Sequence, residues 1–296
     1  MERRSRHPVP RQPGDGEVPK VRVNDIQMNY EVNGEGFPLV MIMGLGANLD
    51  WWDPRMIQEL SKYFKTIVFD NRGTGRTEVS DKEYSIRLFA DDTAGLMDAL
   101  RIPSAHVLGI SMGGMIAQEL ALNHPEMVEK LVLCSTFCGG KRAVQPSGET
   151  LNTLVRGGAT PSEEEAARLT LSLCLTKEFM DKDPDYVKSM TQRILKAPIS
   201  PEAFQPQLGA VMSFSTFDRL SGIKAPTLVL HGKQDILVPP ENGSILAKAI
   251  PNAKLVLLEK SAHALAEDTE EATNAITEFL PKSSSLLRPL GPNVGL

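Results

Sequence analysis

The sequence predicts an α/β protein built on a mostly parallel, doubly wound sheet of eight strands, with a helical cap inserted into it. Three observations carry that prediction. Short apolar runs alternate with amphipathic segments along most of the chain. The alternation breaks for about 80 residues of helical pattern and then resumes, which reads as an insertion rather than as a structureless loop. Finally, a glycine-flanked serine, Gly109-Ile110-Ser111-Met112-Gly113, stands where an apolar strand gives way to a helix.

The elements follow in order. Val21-Arg22-Val23 and Gln27 to Val32 flank Asn24-Asp25 and read as an antiparallel hairpin at one sheet edge. Leu39-Val40-Met41-Ile42 is a run apolar enough for a strand covered on both faces, and Met56 to Phe64 has the spacing of the helix that returns the chain. Thr66-Ile67-Val68-Phe69 with Ile86 to Leu100 repeats the pair. The strand His106 to Ile110 is next, its helix running through Met115, Ile116, Glu119, Leu120 and Leu122, followed by Leu131-Val132-Leu133. Strand signals then stop near Ser135 and resume only at Ala225. Helical patterns fill the interval over Glu163 to Leu175, Asp183 to Ile194 and Pro201 to Val211, separated by Gly157-Gly158, Pro161 and Pro198. Thr227 to Leu230, Ser244 to Ile250, Leu255 to Leu258 and Glu270 to Leu280 complete the alternation. The expected organisation is a core of residues 20–136 and 218–281, a cap of residues 137–217, and disordered Pro-rich or polar tails at 1–19 and 282–296.

Composition narrows the function classes. A chain of 296 residues, 41% hydrophobic, has ample core for one such domain. A formal net charge of -5 offers no basic stripe for nucleic acid. No run approaches the roughly 20 apolar residues of a membrane span. The opening Met1-Glu2-Arg3-Arg4-Ser5-Arg6 leads into prolines without an apolar stretch, so a cytoplasmic protein with no membrane partner is expected. Cys134, Cys138 and Cys174 lack the spacing of a zinc site and read as buried thiols; no metal and no cofactor are expected.

The serine run has the form of a nucleophile elbow, in which the residues two before and two after the serine must lack bulk, as Gly109 and Gly113 do. A serine hydroxyl needs a base within reach and an acid to hold that base in the right tautomer. Of five histidines, His7 is in the tail, His106 opens a strand, His124 ends the elbow helix and His231 closes a strand. His263, in Ser261-Ala262-His263-Ala264-Leu265 between the last strand and the last helix, remains as the base. Asp235, in the turn His231-Gly232-Lys233-Gln234-Asp235, is the acid, because the strand after the elbow helix ends Leu133-Cys134-Ser135-Thr136 without a carboxylate. All three residues fall at the carboxyl edge of the sheet, where open α/β proteins place their sites. For the oxyanion of an acyl transfer, the backbone N–H of Met112 is one donor, and that of Leu45 in Met43-Gly44-Leu45-Gly46 is the other. Asp70 to Thr77 has neither the lysine nor the spacing of a phosphate loop and reads as a tight turn with structural roles for Asp70 and Arg72. Trp51 and Trp52 either wall an acyl pocket or pack beneath the cap.

These motifs together resemble the α/β-hydrolase fold superfamily, in the branch of carboxylesterases, methylesterases, lactonases and cofactor-free haloperoxidases. The resemblance spans roughly residues 20 to 281 and rests on Met43 to Gly46, Asp70 to Thr77, the elbow, His231-Gly232 with Asp235, and Ser261-Ala262-His263. It implies the chain order Ser111, Asp235, His263 for a triad, and a helical cap at this place. The family's oxyanion loop usually opens His-Gly; this chain has Met43-Gly44. A serine at the elbow sets the chain apart from dehalogenases and epoxide hydrolases of the fold, which carry aspartate there.

The expected function is hydrolysis of carboxylic esters of small molecules with short to medium acyl chains. Lactone hydrolysis and carbon–carbon bond hydrolysis use the same parts, and a perhydrolase, a lyase or a small-molecule receptor on this scaffold stay open. The cap is expected to set substrate choice and to contribute nothing to the chemical step. Met212 and Phe214 are its candidate acyl-contacting residues, from a set with Phe179, Met180, Met190 and Phe217 that reads equally as the cap's own core.

Overall fold

The computed structural model describes residues 19–281, so both tails, as read from the sequence, lie outside the described residues. The strands are β1 (Lys20–Val23), β2 (Ile26–Asn33), β3 (Phe37–Ile42), β4 (Phe64–Phe69), β5 (Ala105–Ile110), β6 (Val128–Cys134), β7 (Thr227–Gly232) and β8 (Lys254–Leu258). They form one sheet in the order β1-β2-β4-β3-β5-β6-β7-β8. The predicted hairpin closes through Asn24, whose φ is 51°, and lies at the edge. β2 runs antiparallel to β4, and every pairing from β4 through β3 to β8 is parallel. Parallel strands need covering on both faces, which is why β3, β5 and β6 read as nearly unbroken apolar runs.

The core helices are α1 (Pro54–Leu60), α2 (Ile86–Ala99) and α3 (Met112–Asn123). The cap follows as α4 (Gly148–Ala159), α5 (Glu163–Cys174), α6 (Lys177–Lys182), α7 (Pro184–Ile194) and α8 (Pro201–Ser213), and α9 (Glu241–Ala249) and α10 (Thr269–Phe279) return to the core. Helix α2 starts where Ser85 accepts a hydrogen bond from the Leu88 N–H, and buries Ile86, Phe89, Ala90, Met97 and their neighbours at helical spacing. α2, α3 and α9 cover one face of the sheet. Met56 and Leu60 of α1 and Ala272 and Ile276 of α10 cover the other. Among the described residues no helix is long and apolar enough to cross a membrane.

Two cap helices, α4 and α6, were not expected from the sequence. Gly157-Gly158, read as a separator, lies inside α4, which starts at the Ser147 cap. The reason is tertiary: a Cβ on Gly158 would stand 2.0 Å from a ring carbon of Phe204 in α8, so the glycine is there for close helix approach rather than for a break.

His106, the second residue of β5, is fully buried near the rings of Phe37 and Phe64 at 4.7 and 6.0 Å, and neither ring nitrogen has a hydrogen-bond partner among the described residues. Burial, with a smaller push from the Lys130 charge, drives its pKa down to about 4. A histidine held neutral in the fold takes up its proton on unfolding, so stability is lost as pH falls from the ordinary imidazole value, about 6.5, towards that lower one. The loss is on the order of 3 kcal/mol. His106→Phe is therefore expected to flatten the fall in unfolding free energy between these pH values, as read by urea titration; an unchanged slope would show that another group carries it.

Candidate active site

β5 ends at Ile110 and α3 begins at Met112, so Ser111 alone must turn the chain. It does so at φ 58° and ψ −124°, a conformation that costs an L-residue about 1–3 kcal/mol and persists only where the surroundings impose it. The Ser111 N–H donates to the Cys134 carbonyl at 2.9 Å, and Thr136 Oγ1 donates to the Ser111 carbonyl at 2.7 Å. A Cβ on Gly109 would stand 2.1 Å from the Gly113 carbonyl oxygen, one on Gly113 2.0 Å from that of Ile42, and one on Gly114 2.6 Å from Thr136 Cβ. The glycines thus let α3 start directly against the sheet.

β7 and β8 deliver the other two candidates at the same sheet edge. His263 Nδ1 stands 2.8 Å from Asp235 Oδ2, and Asp235 Oδ1 accepts from the backbone N–H groups of Leu237 and Val238 at 2.9 and 2.8 Å. Burial pushes the Asp235 carboxyl upward, but the charge of His263 and hydrogen bonds from His231 and His263 outweigh it and hold the group at about 2. An ionised Asp235 can only accept, so the Nδ1–H of His263 donates to it, which leaves Nε2 as the acceptor. His231, read from the sequence as packed or backbone-bonded, has Nε2 2.8 Å from the Val238 carbonyl and 3.4 Å from Asp235 Oδ2.

Ser111 and His263 line one cavity of about 630 Å³ between core and cap. They are not hydrogen-bonded to each other in this structure, and such contacts commonly tighten in the substrate complex. The loop after β3 closes on the serine: a Cβ on Gly44 would stand 3.0 Å from Ser111 Cβ and 3.5 Å from Oγ. That places Gly44, the residue before Leu45, beside the Ser111 hydroxyl. The loop is a tight turn in which Ala47 N–H donates to the Gly44 carbonyl at 3.3 Å and Gly46 takes φ 69°. Asn71 Nδ2 donates to the Met43 carbonyl at 3.0 Å and so braces the start of the loop. Asp70 and Arg72 have the structural roles read for them. Asp70 accepts from the N–H groups of Leu49 and Arg76, and Arg72 is held by Asp92 and Asp25.

Trp51 and Trp52 both line the cavity, and Trp52 is also buried in the core beneath. Met212 is at its rim, 68% exposed. Phe214 is not part of the lining. It caps the end of α8 in extended conformation, which turns the side chain down into the main core, and its carbonyl accepts from the Gly140 N–H at 3.1 Å. Of the other cap candidates Met190 reaches the cavity, whereas Phe179 stacks edge-on against Tyr186 and Phe217 lies under Arg142. Leu151 and Leu154 of α4 and Leu171 of α5, which the sequence did not single out, form much of the wall. Among the described residues the lining contains no lysine or arginine; its acidic side chains are Asp53 and Glu163, and Asp53 is bound by Arg55 at 2.6 Å and by the Tyr186 hydroxyl at 3.2 Å. The Cys174 thiol on the wall is pushed up to about 12 by its apolar surroundings, with the charges of Asp235 and Glu267 adding to this, so it stands protonated.

A strained serine at a strand–helix turn, lining one cavity with a carboxylate-bound histidine, fits a hydrolase of the α/β class. The chain belongs to the α/β-hydrolase fold family, whose model matches residues 38–269. It is 28% identical to RutD of Azorhizobium caulinodans, a protein named for carbamate hydrolysis, over 87% of this chain and 96% of that one. The enol-lactonase of Burkholderia xenovorans superposes with a TM-score of 0.78 at 28% identity, covering 88% of this chain and 99% of that one. A thermophilic esterase of Thermogutta terrifontis does so with a TM-score of 0.75 at 27% identity, covering 89% and 97%.

The elbow's dependence on close approach is testable. Gly113→Ala is expected to destabilise the protein by about 1–3 kcal/mol in urea unfolding, because the new methyl meets the Ile42 carbonyl, which cannot move without breaking β3. Alanine ordinarily favours a helix interior over glycine, so a neutral or stabilising result would mean that α3 can shift away from the sheet.

Proposed function

We propose that this protein is a serine hydrolase of uncharged carboxylic esters with short to medium acyl chains, acting through an acyl-enzyme. The observation that carries the reading is the pairing of Ser111, strained at the elbow, with the Asp235–His263 pair on one cavity whose wall is apolar and free of cationic side chains. Ser111 Oγ attacks the ester carbonyl carbon as His263 Nε2 takes its proton. The N–H groups of Leu45 and Met112 hold the resulting oxyanion, and its collapse expels the alkoxide, which takes the proton from His263. Water then attacks the acyl-enzyme with the same base. Asp235 holds the tautomer and the imidazolium throughout.

Charge decides the substrate class within this chemistry. A carboxylate on the acyl chain would enter a wall carrying Asp53 and no cation to receive it, whereas a hydrocarbon chain gains about 0.8 kcal/mol for each methylene buried. A second reading, lactone hydrolysis, draws on the likeness to the Burkholderia enol-lactonase; it differs only in that the leaving alkoxide stays tethered.

Ser111→Ala is expected to lower kcat roughly 10⁶-fold, and Asp235→Asn about 10⁴-fold by favouring the wrong tautomer, both with unchanged circular dichroism. Activity above a few per cent in purified Ser111→Ala removes the assignment. Because Asp235 stays ionised down to about 2, the fall of kcat/KM on acidification reports one proton, on the histidine base. Activity therefore rises with pH along a single limb of unit slope. A flat profile between pH 5 and 8 would contradict a histidine base.

For substrate class, kcat/KM is expected to rise by up to about fourfold per methylene along p-nitrophenyl esters from acetate upward, until the chain fills the cavity. The same ester bearing a terminal carboxylate should fall at least about tenfold below its neutral counterpart. Equal rates for the charged and neutral esters would remove the uncharged-substrate reading, and faster turnover of simple lactones than of any ester would favour the second.

A further inference from the structure

The cap does more than roof the cavity. Along one side it is tied to the loop that follows β3. Asn48 Nδ2 donates to the Ala197 carbonyl at 2.7 Å, Lys196 pairs with Asp50 at 3.2 Å, and Arg193 donates to the Trp52 carbonyl at 3.2 Å. Deeper than all of these is Gln207 on α8, fully buried. Its Oε1 accepts from the Gly46 N–H at 3.0 Å and its Nε2 donates to the Arg72 carbonyl at 2.9 Å. An N–H can only donate and a carbonyl only accept, so this network fixes which way the amide points.

Gly46 is the residue after Leu45, and Gly44 and Gly46 flank that leucine in a turn closed by one long hydrogen bond of 3.3 Å. Two glycines make such a turn intrinsically mobile. An oxyanion donor is effective only if it is in place before charge develops. Gln207 holds the Leu45–Gly46 peptide, and through Arg72, which is salt-bridged to Asp92 at 2.7 Å and Asp25 at 2.8 Å, it ties that peptide to a rigid part of the core. We propose that Gln207 is a positioning residue for the oxyanion loop, coupling the seating of the cap to stabilisation of the tetrahedral intermediate. The inference rests on the serine-esterase reading above and departs from the expectation that the cap plays no part in the chemical step.

The test compares Gln207→Met, which keeps the length but removes both hydrogen bonds, with the smaller Gln207→Ala and with Gln207→Glu, which keeps an acceptor for Gly46. Wild type is first labelled at Ser111 with a fluorophosphonate and assayed on a p-nitrophenyl ester; failure of both would sink the esterase reading itself, independently of Gln207. With an active wild type, kcat of the Met and Ala variants is expected to fall about 10- to 100-fold, as a displaced catalytic group does, with KM within twofold and the pH midpoint unmoved. The Glu variant should recover at least fivefold over Met. A purely structural residue would instead lower the melting temperature without this split of kcat from KM. If one of the Met and Ala variants does not fold, the other decides. Wild-type kcat in a folded Met or Ala variant, or a Glu variant no better than Met, overturns the proposal.

Discussion

One backbone conformation organises this molecule: the turn at Ser111, where a central strand becomes a helix within a single residue. That turn requires α3 to lie against the ends of β3 and β6, which only glycine at positions 109, 113 and 114 allows. The strand order reverses between β3, whose successor β4 lies on one side, and β5 on the other, and the crevice at such a switch point is where loops diverge. The loop after β3 brings Gly44 to the serine from one flank, while Thr136 after β6 braces it from the other. The strain is local, and its support comes from both neighbouring strands.

The sheet and the candidate triad were legible because their signals are local. Strand-length apolar runs, the glycine spacing around Ser111 and the placement of Asp235 and His263 just after strands can each be read within a window of a few residues. The structure joins Asp235 to His263 and sets Ser111 on the same cavity. What escaped is what depends on partners distant in sequence. α4 hides behind Gly157-Gly158 because Gly158 answers to Phe204, and Phe214 faces the core because α8 ends against the strand-like segment at Gly139. Nothing near Gln207 in the sequence marks it, since its partners Gly46 and Arg72 are 161 and 135 residues away. Asn71 escaped for the same reason, since its partner, the Met43 carbonyl, is 28 residues away.

Charge is distributed with the same economy. The buried Arg72 is satisfied by two carboxylates and the Ser80 hydroxyl, which avoids leaving a cation without partners in the interior. Asp53 at the cavity wall is likewise occupied by Arg55, Thr269 and Tyr186. The cavity therefore offers a substrate few unclaimed polar groups beyond those at Ser111.

Helix α4 gives the cavity a thermodynamic meaning. Thr150 is its only buried residue, and the side chains that would normally bury its apolar face, Leu151 and Leu154, look instead into the cavity. Its packing partners are α5 and α8, and these leave the two leucines turned to the cavity. An apolar group bound in the cavity would cover them and act as a removable piece of hydrophobic core. Occupancy and cap stability would then be a single linked equilibrium.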